Sequence, residues 1–214
     1  MPHCAAEARG GVNNPDLNRL AVLFDLDGTL VDLRWIHFEA LNRALAEAGY
    51  DPISREDHVE RFDGLPTSVK LEMLGVPNWL APTINQIKQR HTGDLISERC
   101  GPDDRLNAEL ERIQREAFIA VVSNALNTTC IQVLLKTGLA PYVEMLIAGP
   151  HERGKPWPDP YLKAIEAAHL VPDLTIAVED NHYGLQAAER AGLRCLQVAS
   201  PDDITYQRVM EMFR

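Results

Sequence analysis

Two hydrophobic periodicities run along this chain. Leu20 to Leu26 reads L-A-V-L-F-D-L, a nearly unbroken apolar run, and Ala117 to Val122, Met145 to Ala148 and Thr175 to Val178 look alike. A shorter run covers Arg194 to Val198. Continuous rather than alternating apolarity predicts strands covered on both faces, as in a parallel sheet. Between them lie helical patterns: Thr128 to Lys136, closed by Gly138, and a segment opened by Pro158-Asp159-Pro160 with Tyr161, Leu162, Ile165 and Ala168 at helical spacing. Strands alternating with helices predict an α/β doubly wound fold.

One stretch breaks the rhythm. From Leu33 to Arg99 the patterns are helical or irregular. Phe38, Leu41, Ala44, Leu45 and Ala48 form an apolar stripe ended by Gly49, and further helices are expected around Ser68 to Leu74 and Ile84 to Ile96. An all-helical insertion after the first strand divides the chain into an N-terminal extension (1–19), an α/β core (20–32 and 100–214) and a small helical domain (33–99).

Composition narrows the classes. A chain of 214 residues, 45% hydrophobic and 24% charged, is an ordinary globular composition. Its 21 Lys and Arg against 31 Asp and Glu leave a net charge of −10, which opposes binding to nucleic acid or an anionic membrane surface. Trp35, Trp79 and Trp157 are too dispersed for a base-stacking platform. Cys4, Cys100, Cys130 and Cys195 form no C-x-x-C pair, which suits a reducing compartment. Neither a secretory signal nor an 18-residue apolar run is present, so a cytoplasmic protein is expected.

The residues able to carry chemistry all follow predicted strands, where open α/β sheets bind ligands. Asp25 and Asp27, ahead of Gly28, would resist ionising together without a cation between them, and Mg²⁺ is the natural one; an acidic Asp-Gly turn is the plain alternative. Ser123-Asn124 suits a phosphate oxygen or a helix cap. Lys155, in Gly154-Lys155-Pro156-Trp157-Pro158, suits charge neutralisation or simple solvation. Glu179-Asp180 would either complete an acidic metal site or cap the helix bearing Gly184, Ala187 and Ala188.

Together the motifs D-x-D-G-T, S-N, G-K-P and E-D-x-x-x-G-x-x-A-A, over Leu20 to about Val198, resemble the haloacid dehalogenase-like hydrolase superfamily. The insertion is similar to the helical cap of its branch containing phosphoglycolate phosphatase-like enzymes and β-phosphoglucomutase. The resemblance implies a nucleophile at Asp25, an acid/base at Asp27, and Mg²⁺ held by the Asp25 carboxylate, the Asp27 backbone carbonyl and Asp180, with Glu179 nearby. It also implies phosphoryl contacts from Ser123, Lys155 and the Asn124 backbone amide. Asp27 itself argues against dehalogenation, since the founding dehalogenases lack this second aspartate.

In the cap the resemblance points to His37, ten residues after Asp27, although a helix-surface histidine fits the spacing equally well. It also points to a substrate loop, Phe62-Asp63-Gly64-Leu65-Pro66-Thr67. Thr67 stands where β-phosphoglucomutase has a phosphate-gripping arginine, with Arg61 and Lys70 as other sources of charge. The expected activity is Mg²⁺-dependent hydrolysis of a small phosphorylated metabolite. A sugar phosphomutase and a non-catalytic ligand-binding module are the alternatives, and no protein partner is expected.

Overall fold

The computed structural model describes residues 19–149 and 151–214; residues 1–18 of the expected extension, with Cys4, lie outside them. Five strands, β1 (Leu20–Phe24), β2 (Ala117–Leu126), β3 (Met145–Gly149), β4 (Thr175–Glu179) and β5 (Arg194–Gln197), form one parallel sheet in the order β3-β2-β1-β4-β5. The predicted α/β doubly wound fold is the observed one. Central β1 is flanked by β2 and β4, so the crevice where the order reverses opens between the carboxyl ends of β1 and β4.

Alternation along each strand sorts the core into two layers. Val22 and Phe24, Ile119 and Val121, and Ile176 and Val178 face one side with α5 (Asp104–Gln114), α6 (Asn127–Lys136) and α9 (Tyr206–Glu211). Ala21, Ala120 and Ala177 face the other, under α7 (Asp159–Ala167) and α8 (His182–Arg190). Small residues on both partners of this second layer, including Ala164, Ala187 and Ala188, bring α7 and α8 close to the sheet. That closeness later places Tyr161 and Gly184 against the site. Helix α5 joins the insertion to β2 and was not singled out by the sequence pattern.

Strand β2 runs past its expected end at Val122. Ser123 still pairs with Ala148, and a register shift precedes the next pair, Leu126 with Gly149. Ser123 therefore sits inside the ladder, held by β3, and Asn124 lies in the irregular step that follows it.

The helical stretch comprises α1 (Arg34–Glu47), α2 (Arg55–Asp57) running into a π-turn at His58–Phe62, α3 (Thr67–Met73) and α4 (Ala81–Arg99). Its own apolar cluster contains Leu41, Ala44, Leu45, Ile53, Phe62, Leu71, Val76 and Ile84. The roots of α1 and α4 do not belong to it: Leu33, Ile36, Ala40, Leu95 and Ile96 pack into the cluster on the sheet. Two helices thus rise from the main core and carry a second, smaller core at their far ends.

Phe62 is 2% exposed in that second core, whereas Val59 of the same turn is 54% exposed. Phe62→Ala is expected to cost about 3–5 kcal/mol and Val59→Ala within about 0.5 kcal/mol, read by chemical denaturation followed by circular dichroism.

Candidate active site

The site is built on a buried lysine. The Asp25 N–H donates to the Val178 carbonyl at 3.0 Å, extending the β1–β4 ladder one residue and fixing Asp25 at the crevice. Lys155, whose side chain is 5% exposed, reaches across to it. Its Nζ donates to Asp25 Oδ1 at 2.6 Å, to the Val122 carbonyl at 2.7 Å and to Glu179 Oε1 at 2.7 Å. These three bonds use all three ammonium hydrogens, and a solvated surface lysine is excluded. Burial by itself would lower this ammonium, but Asp25 and Glu179 more than offset it and hold the group above its ordinary value.

Asn124 sets that reach. Its side-chain amide donates to the Lys155 carbonyl at 3.1 Å and its Oδ1 accepts the Lys155 N–H at 2.9 Å, clamping the loop backbone from both sides. A Cβ on Gly154 would stand 2.6 Å from Asn124 Oδ1, so the glycine lets the loop lie against β2. Ser123 is buried and its Oγ accepts the Ala125 N–H at 3.1 Å. Neither residue caps α6, whose N-cap is Leu126 with no side-chain bond.

Three carboxylates converge on the crevice. Asp25, Glu179 and Asp180 each offer an oxygen, all within 4.8 Å of one another. Burial pushes the Asp25 carboxyl up to about 8, with Lys155 opposing and Glu179 and Asp180 adding to the rise. Asp180 is likewise raised, chiefly by burial. One ammonium does not balance three acids, and a divalent cation would supply the missing charge. The donor set fits one: it is all oxygen, and Glu179 Oε2 is buried with no hydrogen-bond partner among the described residues.

Two glycines make the convergence possible. Gly28 has φ +92°, and a Cβ there would stand 2.2 Å from Asp180 Oδ2. A Cβ on Gly184 would stand 2.0 Å from the Glu179 carboxyl carbon. The cap of α8 comes from Asn181, whose Oδ1 accepts the Tyr183 and Gly184 N–H groups at 3.1 Å each. Glu179 and Asp180 are thereby released from the capping role that their position also allowed.

Asp27 is held apart from this cluster. Its Oδ1 accepts the Leu33 N–H at 2.9 Å and its Oδ2 lies 3.2 Å from His37 Nε2. His37 Nδ1 in turn lies 3.3 Å from Lys88 Nζ, so the ring links Asp27 to a lysine on α4. Desolvation in the cleft would raise Asp27, but His37 and the Leu33 N–H outweigh it and hold the carboxyl below its usual value. His37 thus faces the site from α1 and is not a plain surface histidine.

Of the remaining insertion residues, Lys70 is near enough for its charge to act on Asp27 and Lys88, while the others lie outside the site's hydrogen bonds. Gly64, at φ +73°, donates its N–H to Asp63 Oδ1, and Thr67 opens α3; neither hydrogen-bonds to the acidic cluster. Arg61 pairs with Asp57 at 3.1 Å on the exposed side of its turn. Burial lowers the Lys70 ammonium, with Asp63 and Asp27 opposing.

Two residues of the constellation were not anticipated. Lys88 is 7% exposed and falls in phase with buried Ile84, Thr92 and Leu95 on α4. A lysine in the apolar phase of a helix is a signal readable in sequence. The helical spacing places Tyr161 among the core-facing positions of α7, yet its hydroxyl donates to Glu179 Oε1 at 2.5 Å. Burial and the Glu179 charge hold its phenol well above its ordinary value, so it stays protonated as a donor.

A parallel sheet of this order, with acids on β1 and β4 and a lysine loop after β3, defines a hydrolase of the haloacid dehalogenase type. The chain belongs to the haloacid dehalogenase-like hydrolase family, whose profile matches residues 22–198. A phosphorylated carbohydrates phosphatase from Thermotoga maritima is 28% identical over 183 residues, covering 81% of this chain and 82% of that protein. A β-phosphoglucomutase from Mycobacterium bovis is 30% identical over 206 residues, covering 80% of this chain and 77% of that one. Among solved structures, CbbY from Rhodobacter sphaeroides in complex with phosphate has the same fold, with a TM-score of 0.74 at 22% identity over 87% of this chain and 90% of that one. Among the described residues no helix is long and apolar enough to cross a membrane.

Gly184→Ala isolates the packing of Glu179, because helix propensity alone would favour alanine by about 1 kcal/mol. The clash with a carboxylate pinned by two donors is expected to reverse that sign, giving net destabilisation of about 1–3 kcal/mol in thermal denaturation.

Proposed function

We propose that this chain is a Mg²⁺-dependent phosphatase acting on a small phosphorylated metabolite, a sugar phosphate or similar phosphomonoester, through an aspartyl-phosphate on Asp25. The observation that carries this reading is the separation of the two aspartates. Asp25 is buried against Lys155, while Asp27, two residues on, is bonded to His37 of α1. This separation supports attack by one carboxylate and proton transfer by the other.

Asp25, Asp180 and the Asp27 backbone carbonyl would hold the cation, which when bound offsets charge on the carboxylates and the phosphoryl oxygens. An Asp25 oxygen attacks phosphorus and the ester P–O bond breaks. Asp27, held as a carboxylate in the free site by His37 and the Leu33 N–H, takes up a proton beside the anionic substrate and gives it to the departing oxygen. As a carboxylate it then takes a proton from the water that attacks the aspartyl-phosphate, the bond from phosphorus to the Asp25 oxygen breaks, and inorganic phosphate leaves. Ser123 and the Asn124 backbone amide, at the end of β2, and the Lys155 charge orient the transferring group. His37, backed by Lys88, aims Asp27. Residues 33–99 act as the cap over this crevice, with Gly64 and Thr67 in its substrate loop.

The relative named β-phosphoglucomutase raises the mutase reading. Mutase action requires a cationic grip on a second phosphate. Arg61 is engaged with Asp57 and Thr67 is neutral, which leaves Lys70 of α3, its ammonium lowered by burial, as the remaining source of that charge; hydrolysis is the reading these residues favour over phosphate return.

Purified protein is expected to hydrolyse p-nitrophenyl phosphate with Mg²⁺, and Asp25→Asn to lower kcat by on the order of 10³-fold or more. Activity retained in that variant would overturn the mechanism. Glucose 6-phosphate formed from β-glucose 1-phosphate and a bisphosphate primer, in place of inorganic phosphate, would mark a mutase. Mg²⁺-dependent ligand binding without product would mark a binding module.

The pH profile tests the link from Lys88 to Asp27. Burial, reinforced by Lys70, lowers the Lys88 ammonium to about 8. The charged form therefore dominates below that pH and is lost above it. Asp25, also raised to about 8 without a cation, would be kept ionised by bound Mg²⁺. At saturating Mg²⁺, activity is therefore expected to fall as pH rises through about 8, and Lys88→Arg, which stays charged, should move this alkaline limb upward.

A further inference from the structure

Tyr161 is fully buried, at 0% exposure, in the layer formed with Leu23, Val122 and Ala164. A phenylalanine would fill that volume equally well. What distinguishes tyrosine is its hydroxyl, and here the hydroxyl donates to Glu179 Oε1 at 2.5 Å. The same oxygen accepts Lys155 Nζ at 2.7 Å. The Lys155 ammonium also lies 5.2 Å from the centroid of the Tyr161 ring, within cation–π range. One side chain from α7 therefore touches both members of the Glu179–Lys155 pair.

The counting of donors gives this contact a consequence. All three Lys155 hydrogens are committed, to Asp25, the Val122 carbonyl and Glu179. Lys155 can reach a phosphoryl oxygen only by releasing one of these acceptors. Release of Glu179 would leave a fully buried carboxylate with no donor, a costly state, unless another group already holds that oxygen. Tyr161 holds it.

We propose that Tyr161 is a positioning residue for Lys155: its hydroxyl fixes Glu179 Oε1 and its ring faces the ammonium. Lys155 is thereby aimed at Asp25, and one of its N–H groups is free to pass from Glu179 to a phosphoryl oxygen. Tyr161 itself touches neither substrate nor metal. The inference rests on the phosphatase reading for what Lys155 does, but not for how Tyr161 holds it.

A double-mutant cycle of Tyr161→Phe, Glu179→Gln and the pair tests this. The cycle is read in kcat and KM for p-nitrophenyl phosphate and, without substrate, in Mg²⁺ affinity by calorimetry. Tyr161→Phe is expected to keep its circular dichroism spectrum and lower kcat about 10- to 100-fold with KM changed less than about threefold, and to shift Mg²⁺ affinity. The double variant should match Glu179→Gln alone in both readouts, because Tyr161 acts through Glu179. Multiplying effects, or a Tyr161→Phe protein within twofold of the parent in both readouts, would overturn the proposal and leave Tyr161 a core filler. If the parent protein showed no turnover, the phosphatase reading would fail, while the calorimetric arm would still decide the role of Tyr161.

Discussion

The structure depends on one buried ion triad, the Lys155 ammonium held between Asp25 and Glu179. Burying charges is favourable only when geometry and hydrogen bonding are nearly complete, and much of the surrounding architecture supplies that completeness. The Val122 carbonyl takes the third ammonium hydrogen, the Asn124 amide clamps the lysine backbone, and Tyr161 shares the load on Glu179. These groups come from β2, the loop after β3, α7 and the end of β4. The triad therefore exists only when the parallel sheet is assembled in this order, with β1 between β2 and β4.

The triad remains short of positive charge. Asp180 adds a third carboxylate, drawn in because Gly28 and Gly184 lack the Cβ atoms that would displace Asp180 and Glu179. The surplus negative charge is what a cation bound in the crevice would offset. On the opposite side, the helical insertion presents His37 and buried Lys88. The cleft thus has an acidic floor and a basic roof, and Asp27 stands between them, covalently part of the floor and hydrogen-bonded to the roof. Because the roots of α1 and α4 pack into the main core, the roof is anchored at its base while its separate apolar cluster lies further out.

Much of this was legible in the chain. The apolar runs located all five strands, since strands buried on both faces need little but apolar residues. Gly49 and the stripe before it marked α1 for a similar reason. Polar Ser123 and Asn124 look like a loop and predict an end to β2 at Val122, whereas pairing with Ala148 of β3 keeps Ser123 in the ladder. The competing readings of Glu179-Asp180 as a helix cap and Lys155 as a surface side chain were equally consistent with local sequence. The two resolve differently: the next residue in the chain, Asn181, takes the cap, whereas two carboxylates distant in sequence take the lysine.

The sequence by itself determined the alternation of strand and helix, the helical insertion and the placement of Asp25, Asp27, Lys155, Glu179 and Asp180 at or after the carboxyl ends of strands. These follow from periodicity and local turn chemistry, which act over a few residues. Only the tertiary structure decided that the Asn124 side chain clamps the Lys155 loop, that Asp27 leans toward His37 and away from the acids, and that Lys88 and Tyr161 belong to the site at all. Those outcomes depend on hydrogen bonds between groups such as Lys155 and Asp25, 130 residues apart. Such pairs carry no periodic trace, because what brings them together is the packing of the whole sheet and not the chain around either one.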